Sequence, residues 1–178
     1  MILSKRSAAG ATLIAVACLL AGCATATKPE AMVAEKVAVA HPSGSNVSIA
    51  VSGGKETSSM GASQISNDAF SQALADSVTK SGLFTAVAAS GGRYKLTAFI
   101  GKVDQPMMGF SMTVKMEVSY VLTDTQSNKS VWSKNVASEY TAKVSAAFAG
   151  VERLRLATEG AAKANIQQAI TQMGELQL

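Results

Sequence analysis

From Phe110 to Leu122 every second residue is apolar: Phe110, Met112, Val114, Met116, Val118, Tyr120 and Leu122 alternate with Ser111, Thr113, Lys115, Glu117 and Ser119. A period of two sustained over this length predicts a strand with one face on a core and the other in water. The same period recurs at Val47, Ile49 and Val51, and at Tyr94, Leu96, Ala98 and Ile100, where Gly101 predicts a bulge. It is sparser at Trp132, Val136, Tyr140 and Ala142, with Lys134 out of place on the apolar side. Phe84 to Val87 reads as a further short strand, closed by Ser90-Gly91-Gly92. Two stretches switch to helical spacing. Ile65, Phe70, Ala73, Leu74 and Val78 form one stripe. Its helix starts near Ser63 to Ser66, has Asp68 in the first turn and Lys80 in the last, and stops at Gly82. The other helix runs from about Val151 to Met173, with Ala162, Ile166, Ala169, Ile170 and Met173 as its stripe. Gly160-Ala161-Ala162 would let it approach a sheet closely, and Arg155, Glu159 and Lys163 are expected four apart on its solvent face.

The order is strand, helix, short strand, three-strand meander, helix. Each strand has one apolar face and each helix one apolar stripe. Packing both helices on the same side of the sheet buries all of them at once. The predicted fold is therefore α+β, a two-layer sandwich with a mostly antiparallel sheet of about five strands and two helices on one face, spanning residues 47–178.

The N-terminal stretch follows a different rule. Lys5 and Arg6 precede an apolar run from Ala8 to Leu20, too short to cross a bilayer, and Leu20-Ala21-Gly22-Cys23 follows. This stretch resembles the lipobox of bacterial lipoproteins. The resemblance implies that residues 1–22 are a signal peptide, that cleavage leaves Cys23 at the N-terminus, and that Cys23 carries acyl chains of the palmitate type as a membrane anchor. Ala24, rather than Asp, after the cysteine implies sorting to the outer membrane, with the domain facing the periplasm. Removing 22 of 178 residues leaves 156, enough for one domain with a real core. Residues 23–46, with Pro29, Pro42 and Gly44, read as a lipidated N-terminus and tether with a reach of roughly 70 to 80 Å if fully extended, although Met32 to Ala40 has the makings of a short helix or strand.

Charge and chemistry change this picture little. The formal charge of +4 falls to +2 when Lys5 and Arg6 leave, and acidic and basic residues are interspersed, so nucleic acid is not an expected partner. The two cysteines are Cys18, inside the apolar run, and Cys23, so the domain has no thiol for a disulfide or a metal. His41 is the only histidine and sits beside Pro42. Glu117 and Glu139 are the one pair of carboxylates with a plausible cross-strand relation. Lys115 and Lys143 share their face, so ion pairing is the expected role rather than catalysis. Gly53-Gly54-Lys55 and Gly91-Gly92-Arg93 lack the strand–loop–helix setting of a phosphate cradle and read as turns. No cofactor, no metal and no enzymatic activity are expected.

One group does suggest a contact. Met107 and Met108 follow Pro106 at a loop between two strands, with Phe110 two residues on. Large flexible apolar side chains at a loop tip suit an adaptable surface for lipid or protein. The alternative is that the loop folds under the helices, and the balance expected is one methionine buried and the other exposed.

The helix ending Ser81-Gly82-Leu83-Phe84, the Tyr94-Lys95-Leu96 strand, Val131-Trp132, and Glu159-Gly160-Ala161-Ala162-Lys163-Ala164-Asn165-Ile166 are together similar to small outer-membrane lipoproteins with an α+β domain. Auxiliary lipoproteins of lipid-transporting ABC systems, the lipopolysaccharide-assembly lipoprotein and curli-secretion lipoproteins share this general architecture. The resemblance implies a non-catalytic module that assists an envelope assembly or transport machine through a protein partner. The alternative is a standalone carrier for a small apolar ligand or lipid held between sheet and helices.

Overall fold

A computed structural model describes residues 24–58 and 61–178. The chain forms α1 (Pro29–Met32), β1 (Asn46–Ser52), α2 (Asn67–Ser81), β2 (Ala86–Ala88), β3 (Tyr94–Asp104), β4 (Met112–Asp124), β5 (Lys129–Ala142), a short 3-10 turn (Val144–Ala146) and α3 (Gly150–Met173). The five strands make one sheet in the order β2-β1-β3-β4-β5. β3, β4 and β5 form the antiparallel meander, while β1 lies parallel to both β2 and β3.

The alternation in β4 is realised residue for residue: Met112, Val114, Met116, Val118, Tyr120 and Leu122 are buried, and the residues between Met112 and Tyr120 are exposed. Lys95, Phe99, Glu117, Asn135 and Glu139 lie on that water-facing side as well, so α2 and α3 must cover the other. The fold is the two-layer α+β sandwich expected. Ladder pairing shifts between Ile100 and Lys102, which places the bulge at Gly101. Lys134 has the inward parity of β5, but β5 is an edge strand and the side chain is exposed.

Local signals set the helix ends. The Ser66 hydroxyl accepts from the Ala69 amide to cap α2, and Gly82 ends it at φ 68°, in the left-handed region where a Cβ is costly. Leu83 beyond it is fully buried. A Cβ on Gly160 would lie 2.3 Å from the Tyr140 ring, so only glycine lets that ring rest against α3. The core between the layers also holds a polar chain. The Tyr120 hydroxyl donates to Asn165 Oδ1 (2.9 Å), Asn165 Nδ2 donates to the Val136 carbonyl (2.8 Å) and Ser138 Oγ (3.1 Å), and Ser138 Oγ donates to the Ala161 carbonyl (2.9 Å). Burial pushes the Tyr120 phenol far above its ordinary value, so it stays a neutral donor.

Residues 23–46 read as a tether, yet the described part from Thr27 onward is a strap lying along the helices. Met32, Val33 and Ala34 are buried. The Ala34 amide donates to Ser77 Oγ (2.9 Å), the His41 amide to the Gly174 carbonyl (2.9 Å), and the Ser43 amide to the Leu83 carbonyl (2.7 Å). Arg155 and Glu159 were expected in solvent, but they are 7% and 2% exposed. The strap explains both. It covers a second side of α3, and the Lys28 amide donates to Glu159 Oε1 (2.8 Å) while Arg155 pairs with Glu159 and Glu152. A buried Arg–Glu pair is tolerable because each carboxylate and guanidinium finds a partner. Cys23, the expected lipidation site, lies outside the described residues, as does the expected signal peptide 1–22.

Candidate functional site

Two loops meet at the end of the sheet where β3 and β5 finish and β4 and α3 begin. The first, residues 105–111, starts at Gln105, whose side chain is fixed: Nε2 donates to the Ser63 carbonyl (2.6 Å) and to Thr158 Oγ1 (2.9 Å). Pro106 follows and cannot donate to a ladder, so the strand ends. The second loop runs from Lys143 through the 3-10 turn to Ala149.

Arg153, in the first turns of α3, braces both loops. Its Nη1 donates to the carbonyls of Ala147 (2.8 Å) and Phe148 (2.7 Å), and Nη2 reaches the Gly109 carbonyl at 3.5 Å. The guanidinium is thereby mostly buried, and the loop backbones are held against it. What those backbones hold outward is apolar. Met107 is 98% exposed, Met108 83%, Phe110 86% and Phe148 97%, with Val144 and Val151 half-exposed beside them. Six of the nine large apolar side chains exposed among the described residues sit at this one end, so the patch is a concentration and not the usual scatter. A groove of about 570 Å³ runs between the loops, floored by Met112, Gly150 and Leu154.

All three residues singled out in the sequence are therefore exposed. The expectation that one of Met107 and Met108 is buried does not hold, because Met112, not the loop, supplies the side chain that closes this end of the core. Phe148 was missed. Its segment carries no periodicity, and its exposure follows from Arg153 holding the backbone on either side.

Glu139 faces Lys115 across the β4–β5 ladder at 4.0 Å, and Glu117, in register with Ala137, lies diagonally from it on the same face. Both partners of the Lys115–Glu139 pair are largely exposed, which makes it a weak contact. Asp124 takes the Arg93 guanidinium and the amides of Gln126 (2.8 Å) and Ser127 (3.2 Å), fixing the β4–β5 turn. Among the described residues no group of three or more His, Cys, Asp or Glu side chains is placed to hold a metal ion. No helix among them is long and apolar enough to cross a membrane.

No protein-family model matches the chain, and no curated protein matches it in sequence. In three dimensions it is similar to a DUF330 protein from Xanthomonas campestris, at 16% identity and a TM-score of 0.60, across 84% of this chain and 91% of that one. It is also similar to the PelC dodecamer subunit from Paraburkholderia phytofirmans, at 14% identity and a TM-score of 0.50, across 76% of this chain and 93% of that one. A looser overlap, at 15% identity and a TM-score of 0.39, joins 48% of this chain to 67% of a candidate lipoprotein from Caulobacter crescentus, and carries no argument. At these identities the likeness is one of fold.

Proposed function

We propose that this chain is a non-catalytic module, held by lipid on Cys23 in the outer membrane and facing the periplasm, that assists an envelope assembly or transport machine by contact. The observation that carries this reading is the braced apolar tip. Folding normally hides Met and Phe. Here four of them stand in water at one end of the fold, where the buried Arg153 pins the backbone at Gly109, Ala147 and Phe148. The lipobox-like Leu20-Ala21-Gly22-Cys23 supplies the attachment. The likeness to PelC, a dodecamer, is a reason to expect several copies working together.

The carrier alternative draws less support. The space between sheet and helices is filled by Phe70, Leu74, Met116, Tyr120, Ile166 and Ile170, all 0 or 1% exposed, so a ligand would have to part the layers. The experiment is crosslinking of the full chain in intact cells, followed by affinity purification and delipidation. A defined envelope protein recovered in fixed proportion is the expected result. One lipid per chain retained through delipidation, with no protein partner, would favour the carrier.

A further inference from the structure

We infer that the apolar tip is a membrane-docking surface, seated in the interface of the same bilayer that holds the Cys23 anchor. This rests on the proposed lipidation of Cys23 and narrows the reading of the tip: the bilayer covers it, and an envelope protein partner then meets the domain on another face.

The placement follows from the strap. Thr27 Oγ1 donates to the Gln64 carbonyl (3.0 Å), and Gln64 Nε2 donates to Gln105 Oε1 (3.1 Å), two residues before Met107. The Lys28 amide is held by Glu159, and the strap then follows α3 to its far end, where the His41 amide meets Gly174. The chain upstream of Thr27 therefore leaves the domain on the side of the tip. Only Ala24, Thr25 and Ala26 stand between Thr27 and Cys23. Four residue steps span at most roughly 14 Å.

Three lengths decide the orientation. From Glu159 to Val151 at the tip is eight helical residues, about 12 Å along α3. The chain from Thr27 to Cys23 is thus long enough to reach the level of the tip. The opposite end, where Asp124 and Asn128 form the β4–β5 turn, lies a thirteen-residue strand from the tip, about 40 Å along β4, and so roughly 28 Å from the level of Glu159. A leash of 14 Å cannot bring that end to the bilayer. Acyl chains at Cys23 draw the tip down, and the first thing the domain presents there is Met107, Met108, Phe110 and Phe148. Apolar side chains rimmed by polar backbone settle at the boundary between headgroups and acyl chains, which adds a second contact to the anchor. The bilayer is the occupant argued for, and a protein or a second copy of this chain would be a different outcome.

The test uses the full, lipidated protein in vesicles of phosphatidylethanolamine and phosphatidylglycerol. Phe148→Cys provides a thiol for an environment-sensitive fluorophore on the tip, and Gln126→Cys provides the same thiol at the opposite end. Quenchers attached to lipid headgroups should dim the label at 148 several-fold more than the label at 126. Replacing Met107, Met108 and Phe110 with Ser in the Phe148→Cys protein should abolish that difference without moving the thermal melt. Equal, weak quenching at both positions on vesicle-bound protein overturns the docking and leaves the anchor standing. A blue-shifted label at 148 that lipid quenchers do not reach also overturns it, and points to a second copy or a partner. Protein that carries no acyl group and does not sediment with vesicles overturns the lipidation itself.

Discussion

Asp124 shows how one side chain organises a turn. Its carboxylate is held by the Arg93 guanidinium, and the amides of Gln126 and Ser127 donate to the same oxygen. The hydrogen bond from Arg93, with those amides adding to it, holds the carboxyl well below the usual carboxylate range. A folded-state value below the unfolded one stabilises the protein fully above the unfolded value of about 4 and is lost as pH falls beneath it. Asp124→Asn should therefore melt lower than the parent at pH 7, and the gap between the two should narrow steadily as the pH is taken from 5 to 2. A gap that stays constant over that range would mean the ion pair contributes nothing.

At the scale of elements, periodicity does most of the work. β4 reads inside and outside from alternation alone, so Val118→Asp places an unpaired carboxylate on the packed face and should cost several kcal/mol. Ser119→Asp, one residue along in water, should cost under about 1 kcal/mol. Thermal melts in the opposite order would invert the strand. The strap was not legible in this way. Ala31, Met32, Val33 and Ala34 are four apolar residues in a row between Glu30 and Glu35, without the repeat that marks a face. Their burial depends on α2 and α3 leaving a furrow that no local pattern announces. Arg155 and Glu159 misled for the same reason: four-residue spacing of opposite charges describes a solvated helix face until another segment covers it. Met32→Ala separates the two readings, since a packed side chain loses roughly 2 to 5 kcal/mol on truncation and a tether residue loses nothing. The tip was half legible. Pro106 marked the end of a strand and Met107, Met108 and Phe110 were visible as a group, but whether they face core or water depends on Met112 plugging the core and Arg153 bracing the loops.

At the scale of the molecule, the strap and the tip belong to one arrangement. A segment that starts beside Gln64 and Glu159 and ends beside Gly174 fixes which end of the sandwich lies nearest Thr27. The same end carries the exposed methionines and phenylalanines. That coincidence gains meaning only if Cys23 is acylated, and the polarity of the whole account depends on it. The most direct measurement is the intact mass, with N-terminal fragmentation, of the protein purified from envelope membranes. The expected chain begins at Cys23, lacks residues 1–22, and carries the added mass of acyl chains on Cys23. A chain that retains residues 1–22, or one cut elsewhere with Cys23 absent or unmodified, would contradict it.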